Sequence, residues 1–400
     1  MRCFRAVSKV VFTASILCLS EVSLSHAEED IERGLPLVET PSVPALFYSS
    51  SRAASIQSQA NFDIFAPKPQ TLETRFDYSI WDSALEESVI QMGPSLRVFA
   101  KRTEPRLGTL IKSRAHDSPY RLEGSRVTFH YFTKTYKTSL TQYKDDLVRL
   151  AHEHDIQSFD RNEQLAFWIN LHNVVLIDTI SQRHPTRSPS ALVFGEDETP
   201  LHEAKLISIK NIPLSLKDIR EQIVYKNWKD PNVIYGFFRG DIGGPGIMPF
   251  AVTGDNVKYV LSANGAEYAT SLRGFQTSRT ERKVSSLYHE ARPYYFSNWP
   301  RDLETHLKDY LKEPDYLMAQ LEQKKPIGLI EYDTITADLW GGHQFFNAAT
   351  VGRQKGSSDT PPILFERRKK IDELKGKGLL KRKGSTRIID EETEDKAVVE

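Results

Sequence analysis

The residues best suited to binding or acid–base chemistry stand together in a glycine-rich loop at 239–246, RGDIGGPG. The loop follows VIYGFF at 233–238, a run of β-branched and aromatic residues that predicts a strand. Arg239 can bind a carboxylate or phosphate through two parallel hydrogen bonds, and Asp241 can act as a general base. Glycines permit positive φ angles and a close approach of backbone amides to an anion. The glycines that we assign to ligand binding are Gly240, Gly243 and Gly244.

The same loop also fits a purely structural interpretation. It has no GK[ST] motif, so it is not a nucleotide-binding P-loop. Glycine-rich segments are common in tight turns, where Arg239 and Asp241 can pair with each other or with Asp255. The sequence alone leaves the anion site and the tight turn as equal alternatives.

A second set of polar residues lies inside a strongly apolar segment, QLAFWINLHNVVLIDTI at 164–180. Asn170 and Asn173 are about 60° apart on a helical wheel, so they can face one pocket. With His172, a candidate base, they can present amide and imidazole groups to a ligand. The alternative is that these side chains bond neighbouring backbone groups, because an unpaired buried polar group costs about 1–3 kcal/mol. The sequence favours this structural alternative.

The histidines and cysteines predict no metal site and no cofactor. His152 and His154 point about 200° away from each other on a helix, so they do not share one ion. The two cysteines, Cys3 and Cys18, both lie within the first 20 residues. Residues 28–400 therefore contain no cysteine, which excludes thiol catalysis, thiolate metal ligation and disulfides there.

Residues 1–27 have the features of a secretory signal peptide. A positive start with Arg2 and Arg5 precedes an apolar run at 10–19 and small residues at the cleavage site. Ten apolar residues are too few to span a hydrocarbon core of about 30 Å, which needs about 20. We therefore predict cleavage after Ala27, a periplasmic or secreted protein, and no stable membrane span after cleavage.

The remaining sequence predicts the elements that position these residues. Asp160 and Glu163 form a capping-box pattern that starts a buried central helix over 161–183. An amphipathic helix is predicted over 136–154, and Ser215 starts another helix with a second capping box. The other predicted elements are a strand or hairpin arm at 205–213, a helix capped at 253–255 and running to 272, a helical stretch at 288–311 broken at Pro293 and Pro300, and a strand at 327–335.

These elements predict an α+β fold, with one helix-rich domain over 77–350 and a small, mainly antiparallel sheet packed around the buried central helix. Residues 28–76 are rich in Ser, Pro and Ala and predict a flexible lead-in with a few anchoring aromatic residues. Residues 351–400 separate basic from acidic side chains and predict a charged, disordered tail. The chain has 53 basic and 53 acidic residues, which argues against nucleic acid as a partner.

Several motifs resemble the family called domain of unknown function 547, whose signature is an FWINLYN-like helix. FWINLHN at 167–173 matches that helix, and IPLSLKDI at 212–219 is similar to the family's SLDDIE helix start. The resemblance extends over about 77–340. The weaker similarities are SIW at 79–81, GGP at 243–245 and EYD at 331–333.

The resemblance implies no established reaction. Many family members have a His in the strand and Cys residues in the turn of the segment that matches 233–246. Here those positions hold Ile234, Arg239 and Gly244. If the family's His and Cys form a thiol or metal site, this chain has lost it.

Together these observations predict an exported bacterial envelope protein whose domain binds or scaffolds rather than catalyses. The expected partner is a small anionic ligand, a glycan or an envelope protein, bound at the 239–246 loop beside Asn170, His172 and Asn173. The alternative is a thiol-independent hydrolase or transferase, with His172 or Asp241 as the base and the loop amides as an oxyanion site. Both hypotheses require that the loop and His172 meet at one concave site.

Overall fold

The computed structural model describes residues 61–73, 75–101, 116–312, 315–343 and 361–380. Its helices are α1 (Ser79–Ser88), α2 (Lys134–Glu153), α3 (Arg161–Arg183), α4 (Leu216–Asp218), α5 (Val257–Thr270), α6 (Ser286–Tyr295), α7 (Arg301–Leu311), α8 (Asp315–Leu321) and α9 (Pro362–Gly376). Its strands are β1 (Val89–Gln91), β2 (Ser125–Val127), β3 (Val193–Phe194), β4 (Thr199–Pro200), β5 (Lys205–Ile209), β6 (Ile212–Ser215), β7 (Phe275–Thr277), β8 (Arg282–Val284) and β9 (Ile327–Leu329). Helix α4 continues directly into a π-helix, Ile219–Tyr225.

Helix α3 lies in the core of the domain and has the predicted bounds. The Asp160 carboxylate caps it by accepting a hydrogen bond from the Asn162 backbone N–H over 2.8 Å. Every residue from Glu163 to Asp178 is buried, as expected for a helix that is apolar nearly all round. Neither α3 nor any other helix in the described part of the chain is long and apolar enough to cross a membrane.

The strands form four small sheets, and most of their pairings are antiparallel. β1 pairs with β2, β3 with β4, β5 with β6 and β7 with β8 in antiparallel fashion, and β9 joins β8 in parallel. The predicted hairpin arm is the β5–β6 hairpin, whose turn residues Lys210 and Asn211 both have positive φ, as hairpin turns require. The predicted helix-rich α+β fold is confirmed, with several small sheets in place of one.

The strand predicted at 233–238 is wrong, because residues Pro231–Gly236 form a 3-10 helix. Asp230 caps this turn and Pro231 occupies its first position, which fixes a helical start. In a sheet, the backbone groups of this segment would form hydrogen bonds with a neighbouring strand. Here a side chain forms hydrogen bonds with two of them. Asn173 donates to the Gly236 carbonyl at 3.0 Å and accepts from the Phe238 N–H at 3.1 Å.

The tail predicted to be disordered over 351–400 contains an ordered helix, α9. Ile363 at its start is buried with Met92 and Leu339 in a small satellite core. The Lys370 ammonium donates to the carbonyls of Gly93 and Leu122. The sequence pattern missed α9 because only a few of its residues are apolar and their partners lie far away in the chain. Residues 344–360 and 381–400 lie outside the described residues.

Part of the predicted lead-in packs onto α3. The Phe65 ring meets Trp168 edge-on, with 5.4 Å between ring centroids. Phe76 packs against Phe167 of α3 at a centroid distance of 5.3 Å, and it stacks at 4.4 Å on Phe159, just before the helix. These rings are anchoring aromatics of the kind expected for this segment. The predicted signal peptide, 1–27, lies outside the described residues.

Two further boundaries differ from the sequence predictions. Pro293 lies inside α6 and does not break it, because it falls in the last turn and removes only one backbone hydrogen bond. The strand predicted at 327–335 is limited to β9. Beyond β9 the chain turns towards the glycine-rich loop, where the Asp333 carbonyl accepts from the Gly243 N–H at 2.8 Å.

Candidate functional site

A cavity of about 190 Å³ lies between the glycine-rich loop and the first turns of α6. We call it the Arg239 cavity. Pockets for drug-sized ligands usually measure about 300–1,000 Å³, so this cavity fits a small ligand. Its lining includes Ser190, His202, Arg239, Gly244, Ser286 and Glu290.

Arg239 and Glu290 form the charged wall of the cavity, and the buried Arg220 contacts Glu290 from outside the lining. Arg239 Nη2 lies 2.6 Å from Glu290 Oε1, and Arg220 Nε lies 3.5 Å from the same oxygen. Both guanidinium groups are buried, whereas 32% of the Glu290 side chain is exposed. The Nε atoms of both arginines are buried without a hydrogen-bond partner within the described residues. Because buried charges are costly unless paired, Arg239 in this wall can bind a further anion.

The pKa shifts show how charge is distributed at neutral pH. Burial alone would raise the pKa of Glu290, but the charges of Arg239 and Arg220 outweigh it and lower the pKa to about 2. Burial and the neighbouring Arg239 charge lower the pKa of Arg220 to about 10, so it stays protonated. Burial and Arg220 hold the pKa of His202 well below its ordinary value. The cavity is therefore lined by one cation, one anion and a neutral imidazole, and a second cation, Arg220, lies beside Glu290 outside the lining.

His172 does not line the cavity, because it is fully buried behind Arg220. Arginine only donates, so His172 Nε2 accepts from Arg220 Nη1 at 3.2 Å. The Nδ1–H then donates to the Asn173 side-chain oxygen at 3.0 Å, which assigns the tautomer from the hydrogen-bond network. Burial and Arg220 hold the pKa of His172 well below its ordinary value. The imidazole thus orients Arg220 and is not placed to contact a ligand.

Asn170 and Asn173 use their amides to bond backbone groups. Asn170 donates to the Val252 carbonyl at 2.6 Å and accepts from the Val252 N–H at 3.2 Å. Asn173 bonds Gly236 and Phe238 in the same way. These side chains border a separate cavity of only about 10 Å³ and not the Arg239 cavity. Their contacts are those of the structural alternative.

The amides of the glycine-rich loop are already bonded to carbonyl groups. The Ile242 N–H donates to Ile335, and the Gly243 N–H donates to Asp333, each at 2.8 Å. The Gly244 N–H donates within the loop to the Asp241 carbonyl at 3.3 Å. The loop therefore offers the Arg239 side chain to an anion, and these three amides do not form a nest or an oxyanion site.

The loop glycines are required by close packing. Gly240 has a φ of +80°, and a Cβ there would collide with Ile180. A Cβ on Gly243 would lie 2.8 Å from the Asp333 backbone nitrogen. A Cβ on Gly244 would lie 2.7 Å from the Cβ and Cγ of Arg239, so this glycine makes room for the guanidinium stem.

Asp241 reaches the cavity only through Ser190, whose hydroxyl donates to its carboxyl group. Burial raises the pKa of Asp241 to about 8, and the hydrogen bonds from Ser190 offset only part of that rise. The carboxyl group is therefore mainly protonated at neutral pH. Neither pairing expected for a tight turn forms, because Arg239 pairs with Glu290 and Asp255 pairs with Arg75.

The loop and His172 do not meet at one concave site, which both hypotheses require, so the structure brings the sequence candidates together only in part. Arg239 and Gly244 line the cavity, and Asp241 is one contact away through Ser190. His172 lies deeper, bonded to Arg220, which is itself outside the lining. His152, which is predicted not to share an ion with His154, bonds the Ser208 carbonyl in the β5–β6 hairpin.

Sequence reasoning missed Arg220, Glu290 and His202. One signal was available: Arg220 occupies the same helical face as Leu216 and Ile223, which are both buried. A charged residue on the buried face of an amphipathic segment indicates a buried ion pair or a ligand site. Glu290 carries no such local signal, because its partner Arg239 is 51 residues earlier in the chain.

Comparison with known proteins concerns the same central segment. Residues 156–269 match the family model described as "Protein of unknown function, DUF547". No curated protein and no solved structure matches the chain. The matched segment includes α3, Arg220 and Arg239, whereas Glu290 and Ser286 follow it. Over residues 156–269 the chain thus resembles this family of proteins of unknown function, as the FWINLHN motif predicts.

Proposed function

We propose that this protein is an exported binding protein that holds a small carboxylate- or phosphate-bearing ligand in the Arg239 cavity. The observation that carries the proposal is the buried charge of the cavity wall. Arg239 and Arg220 share the single carboxylate of Glu290, and the Nε of each arginine has no hydrogen-bond partner among the described residues. An anion in the cavity would supply an acceptor to Arg239, the arginine that lines it.

The start of α6 supports the same ligand charge. Ser286 is the first residue of this helix and lines the cavity, so the positive end of the helix dipole points towards the bound group. Glu290 lies one turn further along and competes with a ligand for the arginines. Glu221, whose pKa is raised by burial and by Glu290, adds a further negative charge near this cluster. The ligand is therefore expected to be small enough to reach Arg239 without displacing Glu290.

The fixed roles of the acid–base candidates favour binding over catalysis. Both nitrogens of His172 are hydrogen bonded, and Asp241 is mainly protonated at neutral pH. One contact favours the alternative of a thiol-independent hydrolase or transferase, namely that between Ser190 and Asp241 at the cavity wall. An ionised Asp241 would accept the Ser190 proton, so this alternative predicts ester hydrolysis that rises as pH passes about 8.

Calorimetric titration of the full chain with inorganic phosphate, acetate and succinate tests the binding proposal. We expect one site in the wild type and binding about tenfold to a hundredfold weaker in Arg239→Gln, since a hydrogen bond to a charged group contributes about 1.5–3 kcal/mol. The exposed Arg149 provides the matched control, and Arg149→Gln should bind as the wild type does. Binding of a neutral glycan without any anion binding would contradict the proposal.

Hydrolysis of a chromogenic ester tests the alternative. Turnover that is equal in the wild type, Asp241→Asn and His172→Ala would exclude these residues as bases. Export is tested separately by sequencing the N-terminus of protein recovered from the periplasm or medium. We expect a start near Glu28, and an intact Met1 in that fraction would contradict the predicted cleavage.

A further inference from the structure

Two partly buried histidines and a buried aspartate from distant parts of the chain meet outside the Arg239 cavity. His184 Nε2 lies 3.0 Å from Asp338 Oδ2, and His130 Nδ1 lies 3.7 Å from the same oxygen. The exposed fractions of the three side chains are 11% for His130, 6% for His184 and 0% for Asp338. We call these residues the His130 cluster.

The His130 ring is oriented by a hydrogen bond on its far side. Its Nε2–H donates to the His343 carbonyl at 2.9 Å, which leaves the lone pair on Nδ1. This Nδ1 faces Asp338 and is buried without a hydrogen-bond partner within the described residues. A backbone carbonyl on the opposite ring nitrogen is the usual arrangement behind a metal-binding imidazole.

The Asp338 carboxylate is oriented in the same manner. Its Oδ1 accepts from the backbone N–H of Trp340 at 2.8 Å and of Gly342 at 2.9 Å. These bonds come from a tight turn in which Gly341 and Gly342 have φ values of +62° and +71°. Glycine is favoured at both positions, since other residues rarely adopt such angles. The turn leaves Oδ2 directed at the two imidazoles.

The distances between the three facing atoms suit a single small cation. Ligands held about 2.0–2.1 Å from a tetrahedral ion lie about 3.3 Å from one another. The two measured separations, 3.0 and 3.7 Å, bracket that value, and all three ligand atoms lie within 4.8 Å of each other. Two imidazoles with a carboxylate select zinc and its neighbours over magnesium or calcium, which prefer oxygen ligands alone.

We propose that His130 Nδ1, His184 Nε2 and Asp338 Oδ2 bind one divalent first-row transition-metal ion of the Zn²⁺ class. Three protein ligands leave a further position for water or another small ligand, as in zinc sites that are not purely structural. The sequence-based prediction of no metal rested on local spacing and does not apply to this cluster. Its ligands are separated by 54 and 154 residues, so no local motif reveals them.

Titration of the metal-stripped full chain with Zn²⁺ and with Co²⁺ tests this proposal. We expect one equivalent of each ion, with visible Co²⁺ absorption typical of a four- or five-coordinate site. Affinity should fall at least about a hundredfold in His184→Gln and in Asp338→Asn. Asp338→Asn keeps an oxygen acceptor for the Trp340 and Gly342 amides, so it preserves the turn. The exposed His154 provides the control, and His154→Gln should bind as the wild type does.

X-ray absorption of the wild-type Zn²⁺ complex gives a second readout that does not depend on how the variants fold. Two imidazole ligands and otherwise oxygen neighbours are expected. Absence of a stoichiometric site, a different imidazole count, or equal affinity in folded Asp338→Asn would overturn the proposal. His184 would then be a hydrogen-bond donor to Asp338 and nothing more.

Discussion

Two sets of buried polar side chains meet at α3, and they differ in how completely their hydrogen bonds are satisfied. The amides of Asn170 and Asn173 each bond both backbone partners offered by the facing segment. Arg220 and Arg239 are equally buried, yet they share one carboxylate and each has an Nε without a partner among the described residues. We interpret the first set as fold-defining and the second as ligand-binding.

The difference shows that burial alone does not identify a site. A satisfied amide network stabilises the fold because breaking it leaves several buried groups unpaired. Two buried cations that share one carboxylate are costly, and a further anion lowers that cost. His172 joins the two sets, since it donates to Asn173 and accepts from Arg220.

The largest effect is expected for Asn173→Ala. The change leaves the Gly236 carbonyl, the Phe238 N–H and the His172 Nδ1–H without their partner. We expect a loss of about 4 kcal/mol in the free energy of unfolding, measured by urea denaturation. Asn298→Ala, at an exposed asparagine, is the control and should change stability by less than about 0.5 kcal/mol. A similar small change in Asn173→Ala would remove the distinction between the two sets.

Glu290→Gln should destabilise the protein by about 2 kcal/mol at pH 7, less than a fully buried ion pair because part of the side chain reaches solvent. The folded pKa of Glu290 is about 2, below its ordinary 4.5. Its stabilisation is therefore present above about pH 4.5 and is lost as pH falls towards 2. Urea denaturation at several pH values measures this effect. The difference in free energy of unfolding between the wild type and Glu290→Gln should become smaller below pH 4.5. The control, Glu196→Gln at an exposed position, should have the same free energy of unfolding as the wild type at each pH.

Gly244→Ala tests whether the loop glycine makes room for Arg239. The new Cβ would lie 2.7 Å from the arginine side-chain carbons. We expect a loss of about 1 kcal/mol in stability and weaker phosphate binding, because the guanidinium must shift. A Cβ added at Gly376 would meet no neighbouring heavy atom within 4 Å outside the backbone of its own helix, so Gly376→Ala is the matched control. Unchanged phosphate binding in Gly244→Ala would show that this glycine is not needed to position Arg239 for the ligand.

The smallest effect is expected for Asp241→Asn at about pH 3.8, within about 0.5 kcal/mol, because the carboxyl group is neutral in the folded protein and still half protonated in the unfolded chain there. The folded pKa of about 8 exceeds the ordinary 3.8, so wild-type stability should decline as pH rises from about 4 to 8. The Asn variant lacks this carboxyl group and should become the more stable protein at pH 8. Thermal unfolding across this range checks the crossover, and parallel curves would show that Asp241 is ionised throughout.

The sequence predicts the fold where local signals dominate. The bounds of α3 follow from the Asp160 cap and an unbroken apolar run, and the Ser215 capping box forms as expected with Asp218. The prediction fails at 233–238, where a side chain from α3 supplies the bonds that a strand would have made. It fails again at α9, whose buried positions are few and whose partners are remote in sequence.

The site, like the fold, is predictable from the sequence only where its residues carry a local signal. Arg239 stands out because it begins a glycine-rich loop, and the glycines there are explained by packing around it. The pair Arg239–Glu290 and the members of the His130 cluster come from segments far apart in the chain. No rule based on sequence spacing therefore finds them. Arg220 could have been found, because it interrupts a buried helical face.

The central claim is that the Arg239 cavity is an anion site. Its most direct test is phosphate titration of the wild type and of two variants, one that removes a positive charge and one that removes a negative charge. Arg239→Gln removes a cation, and Glu290→Gln removes the carboxylate that competes for both arginines. We expect weaker phosphate binding in Arg239→Gln and tighter binding in Glu290→Gln than in the wild type. Equal affinity in all three proteins would contradict the claim.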